Sequence, residues 1–304
     1  MDVSVVIVSF NAASYLKECL DSIIRFTKNV SYEIIVVDNA STDDSVEVAK
    51  SFGKNVQVVV NKDNRGFGVG VNVGLKRAAG KFILVLNPDI KFLEDSISKM
   101  MAYMGQHPDV GLAGCQFLDG EDKMLPNGGY FPTLTRLFFW TFFLDDLPVL
   151  SKLLDPYHPS ANRYPLSVDR YVDWVTGGFM FVRKEMVEKA DNFDENIFMY
   201  GEEVEWQYRI RMCGLPAGKQ GWKIGYTATT KVIHYERKSS GGSPRNAVLG
   251  EFRGLKYIYG KYFSGWKQIA LGSLLDLAAF NRIILWLLRR NREMVKIYLE
   301  TLVL

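Results

Sequence analysis

The feature that most constrains the fold is a repeated alternation, in the first third of the chain, of short apolar segments with segments of helical periodicity. Val3–Phe10 is an apolar run, and Leu16, Leu20 and Ile23 then recur at helical spacing. The same order recurs in strand Glu33–Val37, which is followed by a helix over 43–52 with Ser41 or Thr42 as its N-cap. It recurs again in strand Val56–Val60, which is followed by a helix over 69–79, and strand Phe82–Leu86 comes next. Short apolar strands between helices are typical of a parallel sheet covered on both faces. The sequence therefore predicts an α/β fold.

The second half of the chain is less regular. The periodicity stops over 118–170, where prolines flank the aromatic run Leu137–Leu144, and this segment is interpreted as an insertion. Order returns over Tyr171–Val182 and in a helix over Glu202–Met212 that Gly214 ends. Strand patterns then follow at Ile224–Ala228 and Val232–Tyr235, and the end of the chain has the pattern of helices.

Composition and charge exclude several classes of protein. The 304 residues carry 37 Lys and Arg against 34 Asp and Glu, and a net charge of +3 does not favour nucleic-acid binding. The three cysteines form no C-x-x-C pair and predict neither a disulfide framework nor a zinc site. The N-terminus lacks a signal-peptide pattern, which favours a cytoplasmic location. Charged and polar residues interrupt Ile269–Leu288, so we expect no membrane span.

Two segments in the first third of the chain are candidate ligand contacts. Asp38 and Asn39 follow a strand, and ligands of open α/β sheets lie at the carboxyl ends of strands. Asp38 is placed either to bind a base or ribose or to cap the turn before the next helix. The glycines of 64–70 permit close approach of a pyrophosphate or close helix packing, with Arg65 and Gly66 as phosphate contacts.

Asp89 is the candidate metal ligand. Strand Phe82–Leu86 runs directly into Asn87, Pro88 and Asp89, which places a carboxylate at a strand end. Mg²⁺ or Mn²⁺ needs only one or two carboxylates when phosphate oxygens and water complete its shell, although a turn aspartate has the same pattern. His234, which ends a later apolar strand, is interpreted as a metal ligand, a phosphate contact or a histidine at the edge of the core.

The acidic helix start at 202–205 is the candidate source of a general base. Acidic residues are common in first turns because the helix dipole stabilises them, but Glu202 and Glu203 follow an apolar and aromatic lead-in, which favours a partly dry cleft. Upstream, Trp174 either stacks on a sugar or packs in the core, and Gly177 and Gly178 permit a sugar to approach closely.

Taken in order, these pieces resemble a known family. They read SVVIVSFN, VVDNASTD, NRGFGVGVNVG, LNPD, WVTGGFMFVRKE, FDENIFMYGEEVEWQYRIRMCG and VIHY. The set resembles glycosyltransferase family two, of the GT-A fold, and in particular its rhamnosyltransferase-like branch, over about residues 3–240. The resemblance implies a nucleotide-sugar-binding fold with a mixed, mostly parallel sheet flanked by helices. It implies a catalytic domain over 1–240, with a nucleotide-sugar half at 1–117 and an acceptor half at 118–240, followed by a helical region at 241–304.

The same resemblance implies roles for the candidate residues. Asp38 would contact the nucleotide base, and Asp89 would be the last carboxylate of the metal-binding DXD-type motif, here in the form NPD. Glu203 would take the place of the family's catalytic base, with Glu where the family usually has Asp, which leaves Glu202 as the alternative. His234 matches a histidine that completes the metal or diphosphate site. The implied reaction is metal-dependent, inverting transfer of a sugar to a glycan or a lipid-linked acceptor.

The resemblance favours deoxythymidine-diphosphate (dTDP) rhamnose as the donor, with uridine-diphosphate (UDP) hexoses as the alternative. A nucleotidyltransferase is disfavoured, because those enzymes open with a glycine-rich basic loop that the SVVIVSFN segment lacks. A catalytically silent sugar-nucleotide-binding protein is suggested only by the Glu at 203.

The aromatic run and the segment Trp266–Leu304 fit two interpretations. They form in-plane helices on an anionic bilayer at the inner face of the plasma membrane, or they pack on the catalytic domain or on the second subunit of a homodimer.

Overall fold

The computed structural model describes residues 1–147, 150, 155–159, 167–214, 221–235 and 243–304. Its centre is one sheet, and the first part of that sheet is parallel. The order β3-β2-β1-β4 is formed by β1 (Val3–Ser9), β2 (Tyr32–Asp38), β3 (Val56–Val60) and β4 (Phe82–Leu86). Because all four strands run in the same direction, their carboxyl ends meet at one edge, as the sequence predicts.

The rest of the sheet is mixed. Its strands are β5 (Ile90–Phe92), β6 (Val110–Leu118), β7 (Met124–Leu125), β8 (Arg170–Val172), β9 (Phe179–Arg183) and β10 (Lys223–His234). The sheet continues β4-β9-β6-β10-β5, with β9 antiparallel to both of its neighbours and β10 parallel to β6. The predicted segments Ile224–Ala228 and Val232–Tyr235 are parts of the single strand β10, whose pairing shifts between Thr227 and Lys231.

Helices cover both faces of the sheet. They are α1 (Ala13–Phe26), α2 (Ser45–Ser51), α3 (Phe67–Leu75), α4 (Ser96–Gln106), α5 (Leu134–Thr141), α6 (Lys184–Ala190) and α7 (Glu202–Met212). Alternate side chains of β1 enter opposite cores, since Val5 and Ile7 pack with α1 and α4 while Val6 and Val8 pack with α3, α6 and α7. The predicted α/β class is confirmed.

Two helix starts differ from the prediction. Neither Ser41 nor Thr42 caps the second helix, because Asp44 is its N-cap residue and the Ser41 hydroxyl donates instead to the Asp38 carboxylate. The third helix begins at Phe67 and ends at Leu75, where we predicted 69–79, because Gly66 at φ 97° ends the preceding loop and starts the helix.

The C-terminal helices are α8 (Pro244–Tyr262), α9 (Trp266–Leu288) and α10 (Arg292–Thr301). They form a third core with α5 and the start of α7, through residues such as Leu137, Val204, Phe252 and Leu275. The predicted boundary at residue 240 and the parts of the insertion at 148–149, 151–154 and 160–166 lie outside the described residues.

Helix α9 is long and apolar enough to cross a membrane by length and composition alone. The mean hydropathy of its 18-residue window is 1.6, and 28% of that window is buried against the rest of the protein. One face of α9 packs on α5 and α8. Our expectation that no segment spans a membrane stays a prediction.

Candidate active site

A cavity of about 940 Å³ lies at the carboxyl ends of the parallel strands. Four parts of the chain line it: the strand ends, the segment before β9, the segment before α7, and one face of α8. The predicted site residues that line it are Asn39, Asn87, Asp89, Trp174, Gly177, Gly178, Glu202, Glu203 and His234. Asp38, Arg65 and Gly66 are not among the lining residues.

Asp38 and Asn39 end β2 in different roles. The Asp38 carboxylate is buried and accepts hydrogen bonds from the Ser41 backbone N–H at 2.9 Å and from the Ser41 hydroxyl at 2.5 Å, so it holds the turn that follows the strand. Asn39 faces the cavity, and its amide is fixed by donation to the Gly66 carbonyl at 3.0 Å and by acceptance from Asn61 at 2.8 Å. The capping interpretation of Asp38 is thus observed, and its contact with a base stays a prediction.

The glycine loop holds another protein segment close. The Phe67 N–H donates to the Phe198 carbonyl at 3.1 Å, and a Cβ atom on Gly66 would collide with that same carbonyl. Of the two roles we considered for these glycines, close packing is therefore the one observed at Gly66. Arg65 is exposed, with its Nη2 3.5 Å from Glu195 Oε2, and its contact with phosphate stays a prediction.

Asp89 and His234 meet on the cavity wall. Asp89 is 1% exposed, and its Oδ1 lies 3.5 Å from Nε2 of His234, whose side chain is 13% exposed. The Tyr235 N–H donates to the Asp89 carbonyl at 3.1 Å, which joins the end of β10 to the turn after β4. The His234 ring packs edge-on against Phe117 at 5.0 Å, and its Nδ1 is buried with no hydrogen-bond partner among the described residues.

These two side chains fit a divalent cation that also binds phosphate. No group of three His, Cys, Asp or Glu side chains that could enclose a metal occurs in the part of the chain that the structure describes. A closed protein site is therefore not formed there. Mg²⁺ and Mn²⁺ commonly take one or two protein ligands and complete their shell with phosphate oxygens and water. A carboxylate oxygen 3.5 Å from an imidazole nitrogen meets that requirement.

Glu202 and Glu203 start α7 in different environments. Gly201, at φ 103°, is the N-cap residue, and Oε2 of Glu203 accepts its N–H at 3.2 Å. Glu202 is 4% exposed, and its Oε2 has no hydrogen-bond partner in the described parts of the chain. Burial, and then the charge of Glu203, raises the pKa of Glu202 well above its ordinary value, and burial raises the pKa of the half-buried Glu203.

The two environments favour different orders of ionisation for the two carboxyl groups. When two neighbouring carboxyl groups compete, the more deeply buried one keeps its proton and the other ionises first. Glu202 is the more deeply buried of the two, and the charge of Glu203 is what further opposes its ionisation. This order of ionisation favours Glu203 as the proton acceptor, and the choice between the two residues stays a prediction.

Glu205, the third acidic residue of α7, is a structural residue. It is fully buried, and it accepts hydrogen bonds from Arg209, from Lys261 at 2.8 Å and from the Tyr262 hydroxyl at 2.5 Å. Burial opposes its ionisation, but these donors outweigh burial and lower its pKa. Because Lys261 and Tyr262 belong to α8, Glu205 ties α7 to that helix.

Trp174 both packs and faces the cavity. It is buried against Tyr157 and His158, and its Nε1 donates to the Tyr130 carbonyl at 3.2 Å. Gly178 lies beside Phe117 and His234, because a Cβ atom there would be 3.3 Å from the Phe117 ring and 3.4 Å from the His234 ring. The packing interpretation of Trp174 is observed, and its stacking on a sugar stays a prediction.

The sequence analysis missed the contribution of α8. Its cavity-facing residues are Arg245, Asn246, Leu249, Gly250, Arg253, Gly254 and Tyr257. His158, whose Nε2 lies 2.6 Å from Oε1 of Glu251, was also missed. The spacing of Gly250 and Gly254, one helical turn apart, was a readable signal of close helix packing, but it does not name the surface that packs there.

Comparison with known proteins identifies the class. Residues 4–154 match the family model described as Glycosyl transferase family 2. The chain belongs to this family and is a glycosyltransferase, as its motifs predict.

Among its relatives is the N-acetylglucosaminyl-diphospho-decaprenol L-rhamnosyltransferase of Mycobacterium tuberculosis (strain ATCC 25618 / H37Rv). That protein is 25% identical over 286 residues, which cover 88% of this chain and 87% of the relative. The O-antigen biosynthesis protein RfbC of Myxococcus xanthus is 26% identical over 243 residues, which cover 78% of this chain and 17% of that protein.

Solved structures confirm the GT-A type of fold. The mannosyltransferase PcManGT of Pyrobaculum calidifontis, solved in complex with GDP-Man and Mn²⁺, has a TM-score of 0.56 and 15% identity over 99% of this chain and 84% of its own. S. aureus TarS has a TM-score of 0.56 and 16% identity over 91% of this chain, which spans 43% of TarS.

Proposed function

We propose that the chain is an inverting, metal-dependent glycosyltransferase in which Glu203 is the general base. The observation that carries the proposal is that one cavity has an Asp89–His234 pair on one wall and an ionisable, half-buried glutamate on another. The Asp89–His234 pair is suited to bind a nucleoside diphosphate with its cation, and the glutamate is suited to accept the proton of an acceptor hydroxyl.

The proposed reaction is a direct displacement. Glu203 takes the proton of the acceptor hydroxyl, and the hydroxyl oxygen bonds to the anomeric carbon from the face opposite the diphosphate. The bond from that carbon to the diphosphate breaks, its electron pair leaves with the nucleoside diphosphate, and the configuration inverts. When bound at Asp89 and His234, Mg²⁺ or Mn²⁺ would neutralise the charge that develops on the diphosphate.

The proposed donor is dTDP-L-rhamnose, and the proposed acceptor is a lipid-linked or polysaccharide precursor of the cell surface. The support is the printed name of the Mycobacterium relative, which specifies L-rhamnosyl transfer to a diphospho-decaprenol-linked sugar, and its alignment over 88% of this chain. The Myxococcus relative, named for O-antigen biosynthesis, supports the same class of acceptor. UDP-hexoses are the alternative donors.

A donor panel tests the proposal. Nucleotide sugars are supplied with Mn²⁺ or Mg²⁺, with and without a short-chain lipid-linked acceptor, and nucleoside diphosphate release is measured. We expect release from one donor, with a loss of at least about a hundredfold in Asp89→Ala. Asp21→Ala is the matched control, because Asp21 is an exposed residue paired with Lys17 on α1. Release that does not change on chelation or in Asp89→Ala contradicts the metal-dependent mechanism.

We propose further that the enzyme acts in the cytoplasm as a peripheral protein on the inner face of the membrane. The support is the outer face of α9, an apolar stripe at helical spacing that includes Ile269, Phe280, Leu287 and Leu288, which are 73%, 57%, 58% and 78% exposed. Exposed Arg289, Arg290 and Arg292 follow this stripe and complement anionic headgroups.

Flotation with phosphatidylglycerol vesicles tests the membrane contact. We expect the full chain to float, and Phe280→Asp with Leu287→Asp to remain at the bottom of the gradient. Val60→Asp is the control, because Val60 is an exposed apolar residue on β3. If the protein does not float and light scattering shows a dimer that the double variant dissociates, the stripe is instead the interface with a second copy.

A further inference from the structure

Helix α8 separates the cavity from the C-terminal core. Residues that recur at helical spacing, such as Arg245, Leu249, Arg253 and Tyr257, face the cavity. The opposite face carries Phe252 and other residues that pack with α9. A helix fixed in this way presents its polar residues to whatever occupies the cavity.

Two glycines place α8 directly against the segment that leads to the base. A Cβ atom on Gly254 would lie 2.5 Å from the Tyr200 carbonyl oxygen, and one on Gly250 would lie 2.9 Å from the carbonyl oxygen of Met199. A Cβ atom on Gly201, the N-cap residue of α7, would lie 3.2 Å from the Cα atom of Gly254. Arg253, which precedes Gly254 and lines the cavity, therefore belongs to the turn of α8 that contacts the segment leading to Glu203.

Arg253 differs from the other basic side chains of this wall. Arg245 is paired with Glu300, its Nε lying 2.7 Å from Oε2, and His158 is paired with Glu251. Arg253 is exposed to the cavity and has no hydrogen bond or ion pair within the described residues. A guanidinium group with free donors binds phosphate oxygens through paired hydrogen bonds.

The position of Arg253 indicates which phosphate it binds. In a direct displacement, the leaving diphosphate and the base lie on opposite sides of the anomeric carbon. The Asp89–His234 pair is on the leaving-group side, whereas Arg253 is beside the turn that carries Glu203. An anionic group next to the base belongs to the acceptor.

We infer that Arg253 binds the diphosphate that joins the acceptor sugar to its lipid carrier. The inference rests on the proposed function and names the chemical class of acceptor that this site selects, an anionic diphosphate-linked glycoside in preference to a neutral one.

The test measures acceptor binding with the donor site filled. The full chain is saturated with nucleoside diphosphate and Mn²⁺, and calorimetry compares a short-chain prenyl-diphospho N-acetylglucosamine with the neutral alkyl N-acetylglucosaminide. We expect Arg253→Ala to weaken binding of the diphosphate compound by about 10- to 100-fold and to leave binding of the neutral compound unchanged. We expect Arg253→Lys to retain part of the affinity, since Lys binds phosphate as a point charge.

Lys256→Ala is the matched control, because it removes one positive charge from α8 at a residue that does not line the cavity. Equal weakening of both acceptors in Arg253→Ala would overturn the inference, and so would weaker binding of nucleoside diphosphate in that variant. Failure of the proposed function has a different signature, because the wild-type protein would then release no nucleoside diphosphate from any donor in the panel.

Discussion

The nucleotide side of the cavity and its α8 side are built by contacts of different range. On the nucleotide side the residues follow strands, and the contact at the end of β2 is local, because Ser41 holds Asp38 three residues earlier, although Asp89 also meets His234 from a distant strand. On the α8 side the contacts join distant segments, as when Lys261 donates to Glu205 across 56 residues. The turn after β2 is therefore specified locally, whereas the α8 side of the cavity exists only once α8 has docked.

This difference bears on the predicted division of the chain. A catalytic domain at 1–240 and a helical region at 241–304 stay a prediction, but the cavity does not follow that division, since α8 lines it with residues such as Arg253 and Tyr257. Glu205 on α7 is bound by Lys261 and Tyr262 of the C-terminal helices. The helical region is thus part of the site.

The largest effect is expected at Glu203, where the two sides meet. Glu203→Gln removes the proposed proton acceptor, so we expect turnover to fall by about 10²- to 10⁴-fold while nucleoside diphosphate binding is kept. Glu202→Gln replaces the carboxyl group whose pKa burial raises well above its ordinary value, so we expect turnover within about tenfold of wild type. Steady-state rates measure turnover, and calorimetry measures nucleoside diphosphate binding. A larger loss of turnover in Glu202→Gln than in Glu203→Gln would identify Glu202 as the base.

The pH profile is the control for this assignment. A general base works in its ionised form, so the rate rises with pH through its pKa. Because burial raises the pKa of Glu203 above its ordinary value of 4.5, the acidic limb of the kcat profile should have its midpoint above that value. In Glu203→Gln, the residual rate should lack this limb.

A smaller effect is expected at Gly254. This residue tests more directly whether the position of α8 controls the base. Gly254→Ala places a Cβ atom 2.5 Å from the Tyr200 carbonyl oxygen, and since that oxygen belongs to the backbone, α8 must shift. We expect unfolding free energy to fall by about 1–3 kcal/mol and turnover to fall by about 10- to 100-fold as Glu203 is displaced. Denaturant unfolding and steady-state rates measure these changes.

Gly260→Ala is the matched control, because Gly260 lies in the same helix and a Cβ atom there meets nothing within 4 Å. We expect that variant to be more stable by about 0.5–1 kcal/mol and fully active. Equal turnover in the two variants would mean that the position of α8 does not control the base.

Sequence reasoning reached the fold and the strand-end residues because both depend on local signals. The strands Val56–Val60 and Phe82–Leu86 and the helix Glu202–Met212 have the bounds predicted from periodicity alone. The role of α8 could not be predicted in this way, because an amphipathic helix shows which of its faces is apolar but not which surface it contacts. The cap of α2 was missed for a related reason, since Ser41 bonds to Asp38, which precedes it, instead of to the helix that follows.

The smallest effect is expected at Arg65, the arginine that the sequence marks on the nucleotide side. Its guanidinium is exposed and lies 3.5 Å from Glu195, and an exposed pair of this kind contributes about 0–1 kcal/mol to stability. We therefore expect Arg65→Ala to change nucleoside diphosphate affinity by less than about threefold, measured by calorimetry with Mn²⁺, and Glu195→Ala to match it. A loss of tenfold or more in Arg65→Ala alone would confirm the predicted phosphate contact. In that case the loop over 64–70 must rearrange when the donor binds, because Arg65 does not line the cavity in this structure. The sequence pattern would then have identified a contact that forms only when the donor is bound.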